Sequence, residues 1–231
     1  LIFFCKYLIL CKECIKDAQK YVPDFLESII EKNLNCIKNI TTPNNQIPLF
    51  NGGKEDNLEK FKKFLNELNY KFKNKKNLIG GIHLFSTKNN AIFFDVGEPP
   101  GKGFSTSYQS GPLSFEFYLD GKKIITNCGY GSNISSKAEL LSRLTSAQST
   151  LTLNDTSITK FERNKLINKI FGNSIKNNFK INNLNFEDNK NYVRFIASHT
   201  GYEKIFGCLH TREITIDKKT GQLKGLDEIK K

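Results

Sequence analysis

Methionine is absent from all 231 residues, and residue 1 is Leu. A full-length chain normally opens on Met, so the sequence reads as a piece of a longer one, and a targeting signal at the true N-terminus is not expected within it. A second Cys-x-x-Cys is also missing. Cys11 and Cys14 form a lone pair with no histidine beside it, in an apolar helical stretch, which excludes zinc there and leaves packing. Cys128 and Cys208 fall in expected strands and read as small core residues. No apolar run is long enough to cross a bilayer: LIFFCKYLILC is short and is interrupted by Lys6. No small-residue cleavage site follows it, so it reads as buried helix rather than leader. The densest basic run, KFKNKK at residues 71–76, is too short for a nucleic-acid-binding arm. No aromatic–basic RNA-reading motif accompanies it, and nucleic acid is excluded as the partner. Internal repeats and low-complexity tracts are absent.

What is present is a basic chain that can build a core. Hydrophobic residues make up 38%, enough for a sizeable interior. The formal net charge is +12. Either the surface attracts polyanions, or the charge simply follows a sequence rich in Lys, Asn and Ile. Residues 1–40 carry helical periodicity, with Phe25, Ile29, Ile30, Leu34 and Ile37 on one face. A polar, Pro-containing connection leads to PLFNGG, and residues 58–68 form a second amphipathic helix. After Gly80 the period falls to two. Strands are expected at residues 82–86, 91–95, 113–119, 123–127, 150–153, 179–184, 192–198 and 210–216. Turn chemistry separates them at Lys88-Asn89-Asn90, Asp120-Gly121, Asp188-Asn189-Lys190 and Lys218-Lys219-Thr220-Gly221. The pattern predicts a mainly β chain, an antiparallel β-sandwich behind a few helices, divided near residue 75.

Polar side chains gather at the starts of the expected strands, where a sheet can present them to a large polar ligand. Each has a plainer reading. Gln109 and Gln148 either meet the ligand or bond neighbouring backbone, and Arg143 either contacts substrate or ties a loop to a carboxylate. His199 and His210 flank the Gly201-Tyr202 turn, either facing a cleft or held as structural residues. Glu116 alternates with Phe115 and Phe117, so it is either solvated or lines a polar groove. His83 has no acidic neighbour in sequence and is given no catalytic role.

Six stretches occur in order: IPLFNGG, IFFDVGEPP, SYQSGPLSFEF, IITNCGYG, RLTSAQSTLTLNDTS and HTGYEKIFGCLHTRE. Together they resemble the C-terminal β-domain of heparinase II/III-like polysaccharide lyases. The resemblance implies residues 1–75 as the last helices of an α/α-toroid with a linker, and 76–231 as the β-sandwich, incomplete at its C-terminal end. It implies β-elimination on an acidic, uronic-acid polysaccharide in a bacterial cell envelope or periplasm, with much of the catalytic set in the toroid. On that basis Tyr108, Gln109, Asn127, Arg143 and Gln148 are candidate substrate-binding residues, and His199, Tyr202 and His210 candidate catalytic ones. Where many members carry histidines before the LSFE strand, this chain has Ser107, Tyr108 and Gln109. Asn127 stands where an Asp is common, and Gln148 where a His is. In some members those His and Asp residues hold a metal. Neutral amides are poor zinc ligands, so no metal and no cofactor is expected. A non-catalytic, carbohydrate-binding sandwich is the alternative.

Overall fold

The computed structural model describes residues 1–54, 58–71 and 78–231. The expected boundary near residue 75, and all but Lys71 of the KFKNKK run, lie outside the described residues. Three helices come first: α1 (Ile2–Asp17), α2 (Asp24–Ile40) and α3 (Glu59–Glu67). Pro23, extended and immediately before α2, separates the first two. Cys5, Ile9, Leu26, Ile30, Leu34, Ile37, Leu58, Phe61 and Leu65 form their common core. The inward stripe of α2 holds Ile30, Leu34 and Ile37 as expected and differs at its start: Leu26 is buried and Phe25 is 65% exposed. Leu26, Ile30, Leu34 and Ile37 keep the helical spacing that Phe25 would break.

Two antiparallel sheets follow, each a simple meander. The first holds β1 (Leu78–Ile79), β2 (Ile82–Ser86), β3 (Ala91–Asp95), β4 (Phe115–Leu119) and β5 (Lys122–Ile125). The second holds β6 (Ile181–Asp188), β7 (Tyr192–His199), β8 (Leu209–Asp217) and β9 (Leu223–Lys230). Asp120 and Gly121 both take left-handed φ (49° and 73°), the requirement of a two-residue hairpin between β4 and β5. The sheets pack face to face. Ile92, Phe94 and Phe117 of the first, with Leu113 just before β4, meet Val193, Phe195, Ala197, Ile214 and Ile216 of the second. Strand β3 is buried on both faces, because Phe93 turns to a second cluster with Leu84, Tyr118 and Phe50. That explains its unbroken apolar run AIFF.

The antiparallel sandwich behind helices is therefore as expected, with three local differences. Residues 150–153 form no strand; Leu153 makes an isolated bridge to Thr156. There the Ser149 and Thr150 hydroxyls donate to the carbonyls of Phe115 and Pro112, tying the segment by side chains instead of a ladder. Strand β9 had no expected counterpart; it is an almost wholly exposed edge strand and lacks alternating burial. The long connection from β5 to β6 contains two short helices, α4 (Ser136–Leu141) and α5 (Lys165–Phe171). Glu116 is fully buried and accepts hydrogen bonds from the Tyr118 and Thr126 hydroxyls and the Asn127 backbone N–H, so it is neither solvated nor in a groove. No helix among the described residues is long and apolar enough to cross a membrane.

Candidate functional site

The segments that lead into β4 and follow β5 fold against each other, and the expected polar residues form their seam. The Gln109 amide nitrogen donates to the carbonyls of Gly129 (2.9 Å) and Ser142 (3.0 Å), and its oxygen accepts the Gly52 N–H at 3.1 Å. The Gln148 amide donates to the same Ser142 carbonyl at 2.8 Å. The Asn127 oxygen accepts the Ser149 N–H at 2.9 Å and its hydroxyl at 3.1 Å. The three residues thus converge, and all three are buried. Two of them point N–H donors at one carbonyl, an arrangement that ties loops together and offers a cation nothing. Among the described residues no group of three His, Cys, Asp or Glu side chains could hold a metal.

Arg143, just beyond α4, is closed to solvent. Its guanidinium donates to the carbonyls of Tyr108 (2.9 Å), Asn173 (2.7 Å) and Ser105 (2.8 Å), and stacks 4.4 Å from the Phe161 ring centroid. The loop tie is real, but its acceptors are carbonyls, not a carboxylate. Burial pulls the guanidinium pKa down from its ordinary value.

His199 and His210 are also fully buried, on the paired ends of β7 and β8. The Gly201 N–H donates to His199 Nδ1 at 3.0 Å, so that nitrogen carries no proton. His199 Nε2–H therefore donates to His210 Nδ1 at 2.9 Å, and His210 Nε2–H to Asp227 Oδ1 at 2.7 Å. Arg212 grips the same carboxylate through Nε (2.7 Å) and a terminal nitrogen (2.9 Å). Its other terminal nitrogen donates to the carbonyls of Leu113 (2.9 Å) and Ser149 (2.7 Å). Burial first, with the neighbouring His210 and Arg212 adding to it, pushes His199 down to about 3. Burial pushes Asp227 up, but its bonds to His210 and Arg212 outweigh that and hold it well below the usual carboxylate range. The Tyr202 hydroxyl donates to the Leu151 carbonyl at 2.9 Å and accepts the Leu153 N–H at 3.3 Å; the side chain is fully buried. None of the three candidate catalytic side chains faces a cleft. Their hydrogen-bonding capacity is taken up by the protein itself.

An open cavity does lie nearby. It has a volume of about 210 Å³ and is lined by Asn51, Gly80, Gly97, Glu98, Pro100, Phe104, Ser107 and Tyr108. Tyr108 is buried, and its hydroxyl has no hydrogen-bond partner. Behind it sits Asp95, wholly buried, whose Oδ1 accepts the Gly97 N–H at 2.9 Å. Burial pushes Asp95 up to about 7, against the opposing bonds from Gly97 and Asn51. Burial, with the Asp95 charge added, holds the Tyr108 phenol well above its ordinary value. Asn51 and Leu113 flank this point with left-handed φ of 45° and 58°, strained for Leu above all. Asp95, Asn51, Arg212 and Asp227 were not picked out from sequence. For Asp95 a signal existed: a carboxylate closing an otherwise apolar strand. For Asp227 there was none, since β9 itself went unseen.

The profile of the heparinase II/III-like, C-terminal family matches residues 75–231. Among solved structures, the heparan sulfate lyase HepC from Pedobacter heparinus superposes with a TM-score of 0.65 at 15% identity, over 94% of this chain and 35% of that one. The heparinase III BT4657 gene product gives 0.65 at 16% identity, over 90% and 33%. A further heparinase III structure gives 0.64 at 14% identity, over 90% and 35%. The chain spans about a third of the length of these proteins. No curated protein matches it.

Proposed function

Because the chain belongs to the heparinase II/III-like, C-terminal family, we propose that it forms part of a polysaccharide lyase that cleaves a uronic-acid-containing acidic glycan by β-elimination. The family match across residues 75–231 carries this reading. The reaction needs the uronate carboxylate neutralised so that the C5 proton becomes acidic. A base then takes that proton, and an acid protonates the leaving oxygen. In this proposal the chain's own part is the sandwich wall of the cleft. Gln109, Asn127, Arg143 and Gln148 act on substrate through the loops they hold, and His199, His210 and Tyr202 lock the ends of β7 and β8. Proton transfer then falls to residues of the parent protein outside this chain, and the isolated chain is expected to bind acidic glycan weakly and turn over nothing. The net charge of +12 suits a polyanion, with binding that weakens as salt rises. A bacterial cell-envelope setting belongs to the same proposal.

Burial of all three candidate catalytic side chains favours a second reading, a non-catalytic carbohydrate-binding sandwich. One screen separates the two. The full-length parent protein is incubated with heparan-, chondroitin-, hyaluronan- and alginate-like polymers, and the ultraviolet absorbance of an unsaturated uronate is followed. Its appearance with any one polymer supports the lyase; binding without product on all of them leaves the binding module.

A further inference from the structure

The long connection from β5 to β6 carries a lobe that presents apolar and basic side chains together. Residues 160–176 close on themselves. Phe161 and Ile175 form an isolated bridge, the Glu162 N–H donates to the Ser174 carbonyl at 2.9 Å, and the Lys176 N–H donates to the Lys160 carbonyl at 2.7 Å. Helix α5 stands within this loop. It is started by Asn164, whose side-chain oxygen accepts the N–H groups of Leu166 (2.9 Å) and Ile167 (3.3 Å). Leu166 and Ile170 lie one turn apart on the same face, and each is 74% exposed. Beside the loop runs the turn Lys102–Phe104. The Ser105 hydroxyl ties it there by accepting the Ile175 N–H at 3.1 Å, and Lys102 pairs with Glu162 at 3.9 Å. Phe104 is 85% exposed. Lys165 and Lys169 make an exposed row next to Leu166 and Ile170, and Lys160, Arg163 and Lys176 are exposed too. Against these five cations the loop has one carboxylate, Glu162, which is buried and accepts the N–H groups of Arg163 (2.9 Å) and Asn164 (3.0 Å).

We propose that this lobe docks on a bilayer surface that bears anionic lipid headgroups. Leu166, Ile170 and Phe104 enter the interface, and the lysine row meets the phosphates. Charge and shape choose this occupant. The cores of protein–protein interfaces are depleted in lysine. At a bilayer, a lysine beside an aliphatic side chain keeps its stem in the apolar layer and its ammonium among the headgroups. A basic face joined to exposed aliphatic side chains is the pattern of elements that lie in a membrane interface. An acidic glycan would pair with the lysines but has no apolar layer to cover Leu166 and Ile170. The lobe rests on the bilayer and does not cross it. This docking stands independently of the lyase reading, since it uses none of the residues of the Gln109–Asn127–Gln148 seam.

The test is co-sedimentation of the 231-residue chain, and of the full-length parent protein, with vesicles. One set is phosphatidylcholine alone; the other is equal parts phosphatidylcholine and phosphatidylglycerol. Both proteins are expected on the anionic vesicles and far less on the neutral ones, with binding that weakens as salt rises. Leu166→Ser combined with Ile170→Ser leaves the net charge unchanged. It should weaken binding at least about tenfold at an unchanged thermal midpoint, since both side chains are exposed. Lys165→Gln combined with Lys169→Gln should weaken it about fivefold per lysine. Lys122→Gln combined with Lys224→Gln removes two exposed lysines of β5 and β9 and should weaken it less than about twofold. No partition onto anionic vesicles would overturn the docking. So would full affinity in the serine pair or an equal loss in the two lysine pairs, either of which leaves only the net charge of +12 at work. Binding by the 231-residue chain that the parent protein lacks would give the face to the parent's own helices. Loss of heparin binding instead of vesicle binding in the Lys165–Lys169 pair would give it to glycan; both results overturn the docking. The glycan screen reports separately, because turnover of a soluble polymer needs no bilayer.

Discussion

Replacing Arg143 with Ala is expected to unfold the loops rather than merely blunt ligand binding. Three charge-assisted hydrogen bonds, to Tyr108, Asn173 and Ser105, disappear together and leave three carbonyls without this donor. Bonds to a charged group contribute about 1.5–3 kcal/mol each, and the stacking on Phe161 about 1 kcal/mol more. These terms share one side chain and do not simply add, so the loss is set at about 4–6 kcal/mol. For a chain of this length that is a fall of about 10–20 °C in thermal midpoint. Arg143→Lys keeps the charge but not the planar fork, and should lose about half as much. The assay is urea and thermal unfolding of both variants beside the parent, with acidic-glycan binding measured at low temperature where each remains folded. A loss of stability under about 1 kcal/mol, joined to a clear loss of glycan binding that Lys restores, would refute the loop-tying account and return Arg143 to the substrate.

Three more expectations concern the same region. The folded pKa of His199 is lowered to about 3, so the unfolded chain binds the extra proton first and stability drains as pH falls from about 6.5 toward 3, by at most about 4–5 kcal/mol. Asp95, raised to about 7, acts the other way: its stabilising protonated form is lost as pH climbs from about 4 to 7, so the two slopes oppose each other. Asp95→Asn should unmask a stability that rises with pH through that window, and urea midpoints that stay flat across it would contradict the assignment. Gly201→Ala places a Cβ 2.4 Å from Ile158 Cγ2 and 2.9 Å from His199 Nδ1, and should cost about 2–4 kcal/mol in denaturant unfolding; a change below 0.5 kcal/mol on the order-of-magnitude scale of surface substitutions would mean the contact relaxes. The Gln109–Asn127–Gln148 cluster should take up no zinc, and elemental analysis finding one equivalent that disappears in Gln148→Ala would show the opposite.

Much of the sandwich was legible because its strands obey a period that water enforces. Strands β2 and β3 fall where alternation and a buried apolar run place them, and Asp120-Gly121 marks its hairpin because those residue types accept the left-handed φ the turn requires. Residues 150–153 misled because Ser and Thr fit a strand pattern while their hydroxyls offered the backbone another way to bond. Strand β9 escaped because Lys, Gly and Glu interrupt it and neither face is buried. In the site, the meeting of Gln109, Asn127 and Gln148 followed from resemblance. Their burial did not, since a polar side chain looks the same in sequence whether it faces a ligand or a carbonyl. The charge relations of His199 were hidden for a related reason: its partner's partner, Asp227, sits on the unseen strand.

Arg212 also governs how the sandwich comes apart. The two meanders share no ladder, so parting them breaks side-chain packing and leaves every strand-to-strand amide in place. The Arg212 guanidinium is a polar tie across that division, holding the Asp227 carboxylate in one sheet while it donates to the carbonyls of Leu113 and Ser149 on the other side. In an Arg212→Ala variant, amide exchange should therefore resolve two protected blocks, 82–125 and 181–230, that open as units with separate free energies. With Arg212 in place, the blocks are coupled through a charge that cannot be left dry and half-bonded, and their exchange should merge toward a single cooperative event. The sandwich thus has a latch in the Arg212 side chain, and its strength can be tuned without touching either ladder.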